Sequence, residues 1–307
     1  MNRATKLLVI AGPTAGGKSA LGLELAERLN GEIISGDSMQ LYRGLSIGVA
    51  KPDAAEQRRV KHHLIDVFDF SVPVDVYRYL ELAEPAIDEV SLRGSLPVVV
   101  GGTGMYLKAL LYGLDELPGD AVVRKELDRL YDNESGEAEL KRLVLECDPV
   151  SYERWEKHRR KLIRALEVFR VSGRRLSELQ SGEKRLRCDA KMFILLPERE
   201  ELKRRIAART AKMLQDGWIE EAGSAIKAGL LESPTARQAL GYDIIGEYLS
   251  GRLSYEEMSD RIITKTWQFA RRQFTWFRHQ HPEGEVISYP LDVDKLCAEI
   301  ELWRGMK

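Results

Sequence analysis

The sequence has no closely spaced cysteines: Cys147, Cys188 and Cys297 stand far apart and form no C-x-x-C pair. That argues against a disulfide framework or a cysteine-based zinc site and fits a reducing compartment. Nowhere does an apolar run approach the roughly 18 to 20 residues that a membrane-spanning helix needs. Leu7-Leu8-Val9-Ile10 is too short for the core of a secretory signal and runs straight into a glycine loop. The expectation is a cytoplasmic protein with no membrane partner. Repeats and low-complexity tracts are absent as well. So is any excess of charge: 47 Lys/Arg against 48 Asp/Glu leave a net charge of -1, no global sign of a polyanionic partner.

What is present describes a soluble globular chain. At 307 residues, 44% hydrophobic and 31% charged, it can fold as one large domain or two of ordinary size. Its charge is unevenly placed. Ser151 to Arg187 carries twelve Lys/Arg and five Asp/Glu, a local net of +7, and Arg261 to Arg278 carries five cations and no acid. Such concentrations point to phosphate or nucleic acid, although solvated helix faces produce them too.

Leu7 to Ala11 reads as a buried parallel strand, Ser19 to Leu29 as an amphipathic helix, Ile33-Ile34 as a second strand, Tyr77 to Val90 as a helix and Pro97 to Val100 as a third strand. Strand and helix in alternation predict an α/β fold: a P-loop NTPase-like parallel sheet flanked by helices, with ligand loops at the carboxyl ends of the strands. After Pro118-Gly119-Asp120 the chain becomes charged and helix-periodic, and a strand signal returns only at Lys191 to Leu196. The expected domains are a catalytic core from residues 1–119 and 189–307, interrupted by a helical insertion at 120–188. Glu198 to Gly251 and Ser254 to Arg278 read as helical, and Val286 to Tyr289 as a late strand.

Gly12-Pro13-Thr14-Ala15-Gly16-Gly17-Lys18-Ser19 matches the G-x-x-x-x-G-K-[ST] phosphate loop, with a strand before it and a helix after it. Its glycines let backbone N–H groups turn inward around phosphate oxygens, Lys18 can neutralise phosphate charge, and the Ser19 hydroxyl can ligate Mg²⁺. The loop does not say whether the phosphate belongs to a nucleotide. Asp37, at the end of the second strand, can ligate magnesium, bind a ribose, accept a proton or simply cap a turn. Thr103 in Gly101-Gly102-Thr103-Gly104 faces the same crevice, in what can also be an ordinary turn. Arg205 and Arg209 share a helix face and can clamp a diphosphate or sit in solvent. The aromatics and cations of Trp267 to Arg278 suit base stacking, or a helix whose rings face the core. His62-His63 has no partner at metal spacing, which leaves it a structural role.

Gly12 to Ser19 is followed by Gly36-Asp37-Ser38-Met39-Gln40-Leu41-Tyr42 with Ile47 to Pro52, and then by His62-His63-Leu64-Ile65-Asp66. After these come Gly101-Gly102-Thr103-Gly104-Met105-Tyr106, Ile163-Arg164-Ala165-Leu166-Glu167-Val168, Gln238-Ala239-Leu240-Gly241-Tyr242, and Arg271 to Arg278. Together, over nearly the whole chain, these segments resemble the tRNA dimethylallyltransferase family, also called tRNA isopentenyltransferase. With no Cys/His module after the core, the likeness is to the short bacterial type. The resemblance implies transfer of a dimethylallyl group from dimethylallyl diphosphate to N6 of the adenosine 3′ of the anticodon, with release of diphosphate. It implies that Gly12 through Ser19 and Arg209 bind the diphosphate with Mg²⁺ at Ser19, that Asp37 is the general base, and that Thr103 assists the leaving oxygen. It places tRNA contacts at Asp37, Ser38, Met39, Gln40, Thr103, Arg124, Arg160, Lys161, Leu162, Ile163, Arg164, Arg237, Gln238, Gly241 and Tyr242. The implied partner is a tRNA anticodon stem-loop bound by a monomer.

The sequence departs from the family's pattern at Trp155-Glu156-Lys157-His158, where a His-Pro-Asn-Asp-like turn is usual, and at Val49, where Thr is common. Three rivals share part of this signature. A P-loop small-molecule kinase has the loop and an aspartate but no use for the basic insertion. A prenyltransferase acting on free adenine nucleotides would not need it either. An RNA-binding NTPase switch would turn over ATP or GTP without prenyl transfer.

Overall fold

In the computed structural model, which describes residues 5–115, 117–180, 185–281 and 283–305, the short apolar runs become central strands of one sheet. Residues 1–4, 116, 181–184, 282 and 306–307 of the expected domains lie outside the described residues, Glu183 and Lys184 of the basic stretch among them. The strands are β1 (Lys6–Ala11), β2 (Gly31–Ser35), β3 (His62–His63), β4 (Leu96–Gly101), β5 (Asp189–Leu195) and β6 (Glu285–Ile287). All are parallel, in the order β3-β2-β4-β1-β5-β6. Leu8 pairs with Val98 on one side and with Lys191 on the other, so β1 is central.

Successive residues of a strand face opposite ways, and here both faces are covered. Leu7, Val9, Ile34, Val99 and Ile194 pack into the larger core, while Leu8, Ile10, Ile33, Val98 and Phe193 pack into the smaller one. Burying each such side chain contributes roughly 1.5–3 kcal/mol. The helix after β1, Lys18–Arg28, lies on the second face through Leu21, Leu23 and Leu25. The helix after β4, Gly104–Tyr112, lies on the first through Tyr106, Leu107 and Leu110. Neighbouring strands whose chains leave toward opposite faces open a crevice at their carboxyl ends, and that is where the ligand loops sit.

Some elements differ from the sequence reading. β3 was missed because two histidines carry no apolar run; their backbone pairs with Ile33 and Ile34. The stretch Glu198 to Gly251 is not one helical run but helices Arg199–Gln215, Trp218–Lys227 and Tyr242–Leu249 with a 3-10 turn at Ala236–Gln238. Gly217, Gly229 and Gly241 take φ of 102°, 90° and 96° between them, the left-handed geometry that ends helices. The last long helix, Tyr255–Gln280, starts at a reciprocal cap between Ser254 and Glu257.

The chain divides into two compact units, Met1–Tyr112 with Leu186–Lys307, and Gly113–Arg185. Within the first, Arg187 N–H donates to Leu111 O at 2.8 Å, so the chain leaves and re-enters at one point. The second has helices Ala121–Tyr131, Glu137–Cys147, Pro149–Trp155 and Arg159–Ser172 and the short Leu176–Leu179, with no strand among its described residues. Leu127, Leu140, Val144, Leu162 and Ile163 form its core. Asp148, fully buried there, accepts from the N–H and hydroxyl of both Ser151 and Ser177; burial pushes its pKa up, and these hydrogen bonds outweigh it.

Candidate active site

Three loops meet at the crevice. The first is the glycine loop after β1. The N-terminal Gly17 of the following helix supplies no side-chain cap, so the first-turn N–H groups face the cavity uncapped by protein side chains. Lys18 Nζ folds back onto Pro13 O at 2.8 Å, and Ser19 is exposed at the helix start. Desolvation pulls the Lys18 ammonium down to about 8, against the raising pull of Asp37 and with Arg209 adding repulsion. Burial likewise lowers the Arg209 guanidinium, opposed by Asp37. Two desolvated cations with one carboxylate opposing them make a site short of negative charge, of the kind that an anionic ligand would complete.

The second and third loops follow β2 and β4 and are fastened together. Gly36 N–H donates to Val100 O at 2.8 Å, Thr103 N–H to Gly36 O at 3.2 Å, and Ser38 N–H to Thr103 Oγ1 at 3.0 Å. Gly101 permits the approach, since a Cβ there would lie 2.3 Å from Gly36 O. Asp37 Oδ1 accepts Met39 N–H at 2.9 Å, which fixes the carboxylate at the loop's tip. Asp37 and Thr103 thus belong to one hydrogen-bonded cluster.

Two cavities open on this cluster. One, of about 560 Å³, runs over the glycine loop past Lys18, Ser19, Arg205 and Lys51. The other, of about 430 Å³, is bounded by Thr103, Trp218, Arg237, Lys265, Phe269 and Arg272. Thr14, Asp37 and Arg209 border both. Arg209 donates to Thr14 Oγ1 at 2.6 Å, while Arg205 lies 4.3 Å over the Tyr289 ring and donates to Glu201. A chamber over the glycine loop and an aromatic, cationic chamber therefore share a wall that carries Asp37, the one carboxylate bordering both.

Comparison with known proteins matches this arrangement. Residues 40–280 match the family described as IPP transferase, and residues 5–68 the one described as Isopentenyl transferase. A tRNA dimethylallyltransferase of Geobacillus kaustophilus is 42% identical over 283 residues, 91% of this chain and 89% of that one. The solved full-length tRNA isopentenylpyrophosphate transferase of Bacillus halodurans superposes with a TM-score of 0.71 at 36% identity, covering 98% of this chain and 96% of that one. A eukaryotic dimethylallyltransferase acting on tRNA superposes at 0.82 with 26% identity, covering 99% and 81%. The chain belongs to the tRNA dimethylallyltransferase family.

Membership makes it a prenyltransferase and sets aside the kinase and NTPase-switch readings. Within the family frame, the residues singled out from sequence fall into three groups. Thr14 to Ser19, Asp37, Ser38, Met39, Thr103, Arg209, Arg237 and Gln238 line the two cavities, whereas Gly12 and Pro13 of the glycine loop are buried and line neither. Gln40 lines the first, yet its amide is engaged, accepting from Ser35 Oγ and donating to Ala50 O. Tyr242 is fully buried and donates to Glu221, and Gly241 packs beneath the Trp218 ring. In the Gly113–Arg185 unit, Leu162 and Ile163 are fully buried, so their side chains serve its core and have no surface to offer RNA. Arg160 and Lys161 are exposed, Lys161 lying 5.3 Å over Trp155. Arg124 and Arg164 both pair with the buried carboxylate of Glu167, at 2.7 and 2.8 Å.

The sequence reading passed over several groups. Glu221 accepts from the N–H groups of Ser46, Ile47 and Gly48 as well as from Tyr242, and so holds the loop that carries Val49 and Ala50 to the wall of both cavities. Of the aromatics between Trp267 and Arg278, Phe277, Trp276 and Trp267 pack into apolar clusters, whereas the exposed Phe269 lines the second cavity. His62 and His63 hydrogen-bond Val60 O and Glu32, and no group of three or more His, Cys, Asp or Glu able to hold a metal occurs among the described residues.

Proposed function

We propose that this chain transfers the dimethylallyl group of dimethylallyl diphosphate to N6 of the adenosine 3′ of the anticodon in tRNA, with the diphosphate in the glycine-loop cavity and the adenine in the other. The single observation that carries the reading is the wall common to the two cavities, formed by Thr14, Asp37, Val49, Ala50 and Arg209, whose polar groups are those of Thr14, Asp37 and Arg209. An exocyclic purine amine is a weak nucleophile and an allylic diphosphate becomes a good electrophile once its leaving group is neutralised. The reaction therefore needs a carboxylate at the amine and cations at the diphosphate, on opposite sides of one junction. The C1–O bond breaks with its electron pair leaving on the diphosphate, the N6–C1 bond forms, and the N6 proton passes to the Asp37 carboxylate. Lys18, Arg209 and the loop N–H groups from Gly12 to Ser19 take up the charge on diphosphate, while the Thr103 hydroxyl donates to the departing bridging oxygen.

Ser19 is the protein ligand proposed for Mg²⁺. An exposed hydroxyl with no three-residue ligand cluster nearby suits an ion that takes most of its ligands from diphosphate and water. When bound, the ion neutralises diphosphate charge. For the tRNA, the stacking and phosphate-gripping groups Phe269, Arg272, Lys265, Arg237 and Gln238 receive the unstacked adenosine and its neighbours. The Gly113–Arg185 unit adds phosphate contacts through Arg160, Lys161, Arg124 and Arg164. The decisive experiment incubates the protein with labelled dimethylallyl diphosphate, Mg²⁺ and unmodified tRNA, then digests the RNA. Label on adenosine N6 next to the anticodon supports the reading; label on free AMP instead, or none with either acceptor, overturns it.

A further inference from the structure

On the helix Tyr255–Gln280 the buried residues are Met258, Ile262, Thr266, Ala270, Gln273 and Phe277. Gln273 stands at a core position of that stripe with only 7% of its surface exposed. A buried primary amide has to place its donors and acceptors, and this one spans two loops that the sequence separates by almost ninety residues. Its Oε1 accepts Thr14 N–H at 2.8 Å, and its Nε2 donates to Gly102 O at 2.7 Å. Those partners fix the amide's orientation, because only the oxygen can accept and only the nitrogen can donate. The fit is close: a Cβ on Gly102 would lie 2.6 Å from Nε2.

Thr14 and Gly102 are not equivalent ends. Thr14 belongs to the diphosphate cradle and is held on its other side by Arg209. Gly102 directly precedes Thr103, whose hydroxyl is fastened to the Asp37 loop through Ser38. We propose that Gln273 is a positioning residue for prenyl transfer, setting the separation between the diphosphate cradle and the Asp37–Thr103 cluster. The inference rests on the site reading given above. The carbon under attack lies one bond beyond the diphosphate, so a small error between cradle and base displaces the amine from the line of attack. Misplacement of about 1 Å costs on the order of a hundredfold in rate.

Two variants test this in the full-length protein, with dimethylallyl diphosphate and tRNA as substrates. Gln273→Leu keeps the bulk and removes both hydrogen bonds; kcat should fall on the order of ten- to a hundredfold while tRNA affinity by filter binding stays within about threefold. Gln273→Glu supplies a readout that packing alone would not move. Ionised, the carboxylate still accepts from Thr14 N–H but faces Gly102 O with no donor; protonated, it restores both hydrogen bonds. The ratio of its kcat to that of the wild type should therefore rise several-fold as pH is lowered from 8 to 6. Other charges that face this junction are Lys18, Arg209 and Asp37, and they are common to both proteins. A Gln273→Leu kcat within twofold of wild type overturns the proposal, as does a flat Gln273→Glu ratio. If the Leu variant does not fold, the Glu profile decides alone. Absence of prenyl transfer by the wild type itself overturns the site reading instead, which keeps the two failures apart.

Discussion

Replacing Lys18 by Met should make the empty protein more stable while abolishing diphosphate binding. Lys18 ordinarily titrates near 10.5 and is pulled down to about 8 by burial. Between those values the unfolded chain binds more protons than the native one, so stability rises as pH climbs from about 8 to 10.5. Below 8 the native state bears the full penalty of holding a desolvated ammonium, about 3 kcal/mol at roughly 1.4 kcal/mol per pH unit. Met removes that charge at similar length, and its melting temperature at pH 7 should exceed that of wild type by several degrees. Diphosphate affinity should show the complement. An ammonium with a pKa near 8 is about nine-tenths protonated at pH 7 and about one-tenth at pH 9. Dissociation constants for dimethylallyl diphosphate, measured by isothermal titration, should therefore weaken up to about tenfold across that range in wild type. A Lys18→Met variant that melts below wild type at pH 7, or wild-type affinity independent of pH from 7 to 9, would refute the reasoning.

Asp37→Asn keeps size and one acceptor oxygen but cannot take the N6 proton, so turnover should drop by roughly 10² to 10⁴-fold with dimethylallyl diphosphate affinity little changed; near-normal turnover would reassign Asp37 to positioning alone. Arg160→Ala removes a side chain 87% exposed and 3.9 Å from its nearest carboxylate, and should lower tRNA affinity and flatten its log–log salt slope by roughly 0.7 to 0.9 without changing the melt. Arg164→Ala should in addition destabilise the Gly113–Arg185 unit, because it strips a partner from buried Glu167, and equal melts for the two variants would count against that. His281, buried between Phe277 and Tyr112, is depressed to about 4 by burial and by Lys108, with Glu283 opposing. The folded state keeps it neutral down to about pH 4 while the unfolded chain protonates near 6.5, so stability falls as pH drops from 6.5 to 4, and His281→Phe should flatten the acid limb of urea unfolding by up to about 3 kcal/mol.

How much of this was legible in the sequence depends on how local each feature is. The glycine loop is eight consecutive residues between a strand and a helix, so its geometry is written in one short segment. Asp37 and Thr103 could be placed because residues at the ends of parallel strands share a crevice. β3 escaped because two residues carry no period, and its pairing with Ile33 and Ile34 is set by the sheet. Gln273 left a signal, a polar side chain on the apolar stripe of an amphipathic helix, but its partners Thr14 and Gly102 are known only once the chain has folded. Leu162, Ile163 and Tyr242 show the converse limit. A motif position identifies a segment, while burial decides which side of that segment meets a ligand. On Arg159–Ser172 the exposed Arg160 and Lys161 directly precede core residues.

A phosphate loop is better known where the bond to be broken lies at phosphorus, and there the groups that stabilise charge and the reacting atom coincide. Under the proposed function the electrophile is carbon, one oxygen beyond the phosphate, so the same cradle can only prepare the leaving group. The nucleophile's base must then come from elsewhere in the sheet, at a fixed distance, and Asp37 stands for that role at the end of β2, beyond the intervening β4. That division explains why so much of the hydrogen bonding at the crevice joins one loop to another: Gly36 to Val100, Thr103 to Ser38, Thr14 to Gln273, Gln273 to Gly102. It also explains the electrostatics. Lys18 and Arg209 stand desolvated with only Asp37 opposing them, a strain that an anionic leaving group would relieve. On the proposed reading the loop grips the diphosphate while the β2 and β4 loops hold the acceptor, and rate depends on the few hydrogen bonds that keep the two in register.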